Sequence, residues 1–228
     1  MPGIAARMLF IIFFSTLSFS QTIDWQWQDP IPSKLSRNGT FFLNSQQGWI
    51  VGNEGEIWHT YDGGTNWERR PLPSEANLWT VEFLDAQTGF VAGHTNKMFK
   101  TLNGGLIWQQ IPLPNNIGSH FDITFKDAQT GIVTADFGNI LRTTDGGNTW
   151  DIISTTGSTI NAYYKSVVHT SGNTWFISGS FGMILKSTDD GLTWSLFGRP
   201  TTSYFEDIYF YDDFVGWAAG TAGLFAKT

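Results

Sequence analysis

Thr143-Thr144-Asp145-Gly146-Gly147-Asn148-Thr149-Trp150 spells out a complete turn. An aspartate in such a stretch accepts hydrogen bonds from nearby backbone N–H groups and folds the chain as an Asx-type turn. The glycines supply positive φ at little steric cost. The Thr two residues before the Asp ties the incoming strand to the turn, and the closing Trp packs its ring against the hairpin. The pattern recurs along the chain, in residues 55–67 (GEIWHTYDGGTNW), 96–108 (NKMFKTLNGGLIW), 138–150 (GNILRTTDGGNTW) and 182–194 (GMILKSTDDGLTW). Its structural positions are Asp62, Gly64 and Trp67; Asn103, Gly105 and Trp108; Asp145, Gly147 and Trp150; and Asp189, Gly191 and Trp194. The closing tryptophans stand 41, 42 and 44 residues apart.

Upstream of each turn a second landmark keeps the same period. It reads GWIVG at 48–52, GFVAG at 89–93, GIVTA at 131–135 and GWAAG at 216–220, with TWFISG at 174–179 standing in for the fourth copy. Before each landmark lies another apolar run, at 41–43, 78–84, 121–125, 164–168 and 205–210. Each unit therefore reads as four short strands, the last two joined by the Asp-Gly-Gly turn, and no helical periodicity appears after residue 20. Four antiparallel strands in about 42 residues is the length of a propeller blade, so the expected fold is an all-β propeller with about four to five blades present. The repeats fall at roughly 38–77, 78–119, 120–160, 161–203 and an incomplete 204–228.

The motif Ser/Thr-x-Asp-x-Gly-x-Thr/Ser-Trp resembles the Asp-box, or bacterial neuraminidase repeat. Residues 60–67, 143–150 and 187–194 follow it closely; 101–108 departs from it by placing Asn103 where Asp is expected, and Asn still accepts backbone bonds. The whole unit, with its upstream landmark, is similar to the photosystem II stability/assembly factor family of seven-bladed propellers, and the likeness covers residues 38–228. It implies a non-catalytic scaffold that docks onto another protein. In those factors an arginine-rich patch is implicated in binding; here, after residue 20, Arg occurs only at positions 37, 69, 70, 142 and 199. A ring of seven blades needs about 290 residues at this repeat length, which makes this chain a fragment of such a ring. Alternatively, Asp24-Trp25-Gln26-Trp27-Gln28 completes the fifth blade and closes a smaller ring.

Arg7, the apolar run 8–17 (MLFIIFFSTL) and Ser18-Phe19-Ser20 have the form of a signal peptide cleaved after residue 20, so residues 21–228 are the expected mature, exported chain, periplasmic, in the cell envelope or extracellular. The run is too short to span a membrane. Thirteen Lys+Arg against 20 Asp+Glu, a net charge of −7 with no basic block, disfavour nucleic acid as a partner. With no Cys there is neither a disulfide framework nor a thiolate nucleophile.

Catalytic, cofactor and metal sites are expected to be absent. His59, His94, His120 and His169 show no ligand spacing. Paired carboxylates such as Asp189/Asp190 and Asp212/Asp213 are sequence neighbours, whereas glycoside hydrolysis needs two carboxylates facing across a cleft. Sialidases share the Asp-box but use an arginine cluster that this chain lacks. Two sets of residues are candidates for binding a protein or peptide, with a glycan as the alternative. One is the basic position before each turn: His59, Lys100, Arg142, Lys186 and Lys227, serving either an acidic partner or local pairing within the repeat. The other lies at the opposite face, on loops that vary between repeats, where Trp79, His120, Tyr163 and Tyr204 begin the innermost strands and would either line a channel mouth or pack in the core.

Overall fold

The computed structural model describes residues 34–114, 117–153 and 162–228; residues 1–20 and 24–28, on which the export and closure readings rest, lie outside them. The described chain is all-β, in five antiparallel sheets of consecutive strands. The first holds β1 (Arg37–Phe42), β2 (Gly48–Gly52), β3 (Ile57–Thr60) and β4 (Glu68–Arg70). The second holds β5 (Leu78–Phe83), β6 (Gly89–Gly93), β7 (Lys97–Thr101) and β8 (Gln109–Gln110). The third holds β9 (His120–Phe125), β10 (Gly131–Ala135), β11 (Ile140–Thr143) and β12 (Asp151–Ile153). The fourth holds β13 (Tyr164–His169), β14 (Trp175–Gly179), β15 (Ile184–Ser187) and β16 (Ser195–Gly198). The fifth has three strands, β17 (Phe205–Phe210), β18 (Gly216–Gly220) and β19 (Phe225–Lys227). The first strands of the sheets touch in succession, β1 to β5 to β9 to β13 to β17, which is the blade order of a propeller, and no closed ring forms among the described residues.

Packing between blades explains the composition. Every residue of β6, β10 and β14 is buried, because each second strand is covered on both faces by its neighbours. Each core cluster straddles two blades: Trp49, Val51 and Ile57 of the first meet Leu78, Phe83, Val91 and Trp108 of the second, and Trp194 of the fourth reaches Ile132 of the third. At Trp108, Trp150 and Trp194 the Asp-box Trp is thus a wedge between blades, and burying such a side chain is worth about 3 kcal/mol. The landmark glycine has an equally local cause. A Cβ on Gly89 would stand 2.5 Å from the Phe83 ring, and the same clash recurs between Gly131 and Phe125 at 2.7 Å. The fourth blade drops both residues together, pairing His169 with Trp175 instead.

The Asp-box turns close as their sequence predicts. Thr143 Oγ1 donates to Asp145 Oδ1 (2.8 Å) and accepts from Gly147 N (2.9 Å), while Asp145 accepts from Thr149 N (3.0 Å) and Thr149 Oγ1 (2.7 Å). Asn103 performs the same task, accepting from Thr101 Oγ1 and Ile107 N at 2.9 Å each. These turns share a face with the turn joining the first two strands of each blade, since Gly104 N donates to Gln87 O (2.8 Å) and Gly146 N to Gln129 O (2.9 Å). The turns between second and third strands occupy the other face.

Candidate functional site at the channel mouth

On that other face every innermost strand is broken at its second residue. Pairing runs Leu78↔Gly93 then Thr80↔Ala92, Tyr164↔Gly179 then Ser166↔Ser178, and Phe205↔Gly220 then Asp207↔Ala219; β1 and β9 skip Asn38 and Phe121 in the same way. These are β-bulges, which leave one residue out of the ladder and re-aim its side chain. The backbone is so close there that a Cβ on Gly93 would fall 2.0 Å from Asn77 O, which is why the landmark ends in glycine in four of the five blades, Ala135 standing in the third. The five bulged residues, Asn38, Trp79, Phe121, Lys165 and Glu206, line one cavity of ≈ 370 Å³ bounded by all five inner strands. A second cavity of ≈ 520 Å³ opens above it, with Trp79, Phe121, Tyr163, Lys165, Tyr204 and Glu206 in its wall.

The mouth is aromatic and charged. Trp79 stacks on Phe121 (centroids 5.0 Å apart, 14° between planes), and Tyr163 meets Phe121 edge-on at 6.4 Å. Lys165 Nζ lies 3.9 Å from the Phe121 centroid and 4.0 Å from Glu206 Oε2. Tyr163 and Tyr204 are each 37 % exposed. The neighbouring turns Asp136–Gly138 and Ser180–Gly182 add Phe137 and Phe181, both exposed and both at positive φ (59° and 58°). Phe181 approaches Tyr204 at 6.3 Å.

One residue deeper, polar side chains stitch adjacent blades where no backbone ladder joins them. Asp122 Oδ1 accepts from Ile123 N (2.9 Å) and Thr80 Oγ1 (3.4 Å), and its Oδ2 accepts from Val167 N (2.9 Å) and Ser166 Oγ (3.0 Å). Ser166 Oγ also lies 2.9 Å from Asp207 Oδ1, so one hydroxyl proton faces two carboxyls. Burial pushes Asp122 up to about 6. Burial first, and the Asp122 charge second, push Glu82 up to about 8. Both oxygens of Asp122 are occupied by stitching bonds, which makes it a structural acid.

The sequence candidates separate accordingly. Trp79, Tyr163 and Tyr204 meet at the mouth. His120 does not: it is fully buried behind the bulge, and burial holds its pKa down at about 4. The basic residues before the Asp-boxes work within the scaffold. Lys100 Nζ donates to Gly146 O (2.7 Å) and Asn148 Oδ1 (2.8 Å) of the next blade's turn. Arg142 Nε donates to Asp190 O (2.7 Å), and its Nη2 to Asp190 Oδ2 (3.1 Å), one blade further on. His59 is buried and stacked on Trp49 at 4.4 Å; burial and Arg70 hold its pKa at about 4, so it carries no charge at neutral pH. Lys186 covers Phe176 and Phe197, and Lys227 covers Trp217. Sequence reading did not find Lys165, Glu206 or the bulges. Their signal is a position within two residues of each variable loop's end, whose chemistry changes from blade to blade.

The family described as photosynthesis system II assembly factor YCF48 matches residues 19–120 and 108–199. The chain belongs to this family. Among solved structures it is similar to YCF48 bound to D1 peptide, at 19 % identity and a TM-score of 0.53, covering 87 % of this chain and 95 % of that one. YCF48 from Cyanidioschyzon merolae aligns at 22 % identity with a TM-score of 0.69, over 87 % of this chain and 68 % of that one. An ancestral GH74 enzyme aligns at 18 % identity with a TM-score of 0.69, over 89 % of this chain and 32 % of that one. At these identities the structural likeness establishes the propeller fold that the YCF48 family shares with other Asp-box proteins. No curated protein sequence matches the chain.

Proposed function

We propose that this chain is a non-catalytic scaffold that holds an extended segment of a client protein at the channel mouth, as an assembly factor does. The observation that carries this is the bulge ring: a device repeated in all five blades turns one side chain per blade out of the ladder and toward a single cavity. Membership of the YCF48 family and the likeness to YCF48 bound to D1 peptide support a peptide or protein client. Among the arginines, Arg142 is engaged inside the scaffold and Arg70 sits against His59 and Glu68, so the client here meets a mouth built from aromatic rings, one lysine and carboxylates. The signal-like residues 1–20 support a client met outside the cytoplasm.

The test is selection of a random peptide library on the intact protein, followed by binding to the Trp79→Ala and Tyr204→Ala variants. Selected peptides are expected to weaken by about tenfold or more on both variants, as central aromatic contacts do. Peptides that ignore both substitutions, or turnover of fluorogenic glycosides, would overturn the reading. Export is checked by sequencing the N-terminus of protein recovered from the envelope fraction, expected to begin at Gln21.

A further inference from the structure

The charge of the mouth is lopsided. In the wall of the two cavities stand the carboxyls of Asp136, Glu206 and Asp207, with the engaged Asp122 and the proton-holding Glu82 behind them, against a single ammonium, that of Lys165. Lys165 already shows what this environment favours. Its Nζ sits over the face of Phe121 at 3.9 Å, the geometry in which an aromatic quadrupole attracts a cation. Its reach to Glu206 is 4.0 Å, the outer limit of an ion pair, and the Glu206 side chain remains 50 % exposed. Glu206 is therefore weakly neutralised while standing beside Tyr204, with Tyr163 and Phe121 across the opening.

A second observation marks the same sector. The middle residue of each turn between second and third strands has positive φ, a conformation that favours Asn, Asp or Gly. In the first, second and fifth blades that residue is Glu54, Thr95 and Ala222; in the third and fourth, which flank Tyr163, it is Phe137 and Phe181. A bulky ring held there is strained, and strain of this kind gathers at ligand clamps. Both rings are exposed, at 55 % and 42 %.

We infer that the mouth selects a client segment that presents a lysine or arginine side chain, received between Glu206, Asp136 and the Tyr163, Tyr204 and Phe181 rings. This rests on the peptide-binding reading and adds the chemistry of the peptide to it. The cationic head meets an electronegative rim bearing π faces, its aliphatic stem lies along the aromatic wall, and flanking residues run over the Phe137 and Phe181 turns. The chain's own net charge of −7 steers such a segment toward the protein before contact. An acidic client would face repulsion from Asp136, Glu206 and Asp207 and attraction from Lys165 alone.

The experiment is fluorescence anisotropy of labelled, N-acetylated, C-amidated peptides from the library selection, each made with Lys, Gln or Glu at one position at a time. At the critical position Lys is expected to bind about fivefold or more tightly than Gln, and Glu weakest. Glu206→Gln is expected to erase the Lys preference. Asp151→Asn, the same charge change on an exposed outer strand, leaves it intact. Lys165→Met, which removes the resident cation, is expected to strengthen Lys binding. If the peptides bind with no charge order, the inference falls and the scaffold reading stands. If Glu binds best and Lys165→Met abolishes that binding, the mouth is an anion site and the inference is wrong. If no peptide binds at the mouth, both fall.

Discussion

Phe181, at φ +58° and in reach of Tyr204, is a side chain held in a conformation it disfavours. Phe181→Asn is expected to raise stability by about 0.5–1 kcal/mol, since Asn tolerates the left-handed region, and to lift the melting temperature by a few degrees. The same variant is expected to bind client peptides more weakly. A fall in melting temperature would instead make Phe181 a packing residue. Asp145 tests the opposite case of a residue suited to its place. Despite some burial, its bonds from Thr149, Thr143 and Asn148 hold its pKa down at about 2. A depressed pKa contributes stability above the ordinary carboxylate range and loses it as pH falls toward 2. Asp145→Asn is expected to melt close to wild type at pH 7, because Asn103 fills this position in the second blade, and to lose less stability between pH 4 and pH 2. Thermal melts across that range check both. Asp145 was fully legible in sequence, since its partners lie within four residues. His120 was not: its side chain is placed by a bulge whose cause is a backbone approach to the preceding loop.

At the scale of the element, Arg142 on β11 grips the fourth blade's turn through two atoms, Nε on a carbonyl and Nη2 on a carboxylate. Arg142→Ala is expected to destabilise the protein by about 1–3 kcal/mol, and Arg142→Lys to recover little, because an ammonium cannot reproduce the planar fork. Equilibrium unfolding in urea measures both; full recovery by Lys would mean that only the charge matters. The periodic recurrence of a basic residue at this position was readable without any structure. Its destination was not, because the acceptor lies 48 residues away on the next blade, a separation no local pattern reports. The strands and the Asp-box turns could be read because each depends on residues inside one repeat. The bulges, the stitch through Asp122, Ser166 and Asp207, and the pairing of Gly89 with Phe83 depend on contacts across strands or blades.

For the whole molecule, the channel wall couples stability to pH in the direction opposite to the Asp-box. Glu82 binds its proton more tightly in the folded protein, at about 8, than the ordinary value of 4.5. Between those values the folded state holds more protons than the unfolded one, so stability falls as pH rises. The protein is expected to be more stable at pH 5 than at pH 9, with Glu82 responsible for a share on the order of a few kcal/mol, and Glu82→Gln is expected to flatten that slope. Urea titrations of both proteins at the two pH values decide it; an unchanged slope would place the sensitive acid elsewhere. The bulges carry a different consequence, for inheritance. At Asn38, Trp79, Phe121, Lys165 and Glu206 the side chain stands outside the ladder that holds its blade together, so a codon can change there with little effect on assembly of the barrel-like wall. Five such positions form an alphabet that lineages, or a mutagenic library, can rewrite letter by letter while the grammar of the fold stays fixed.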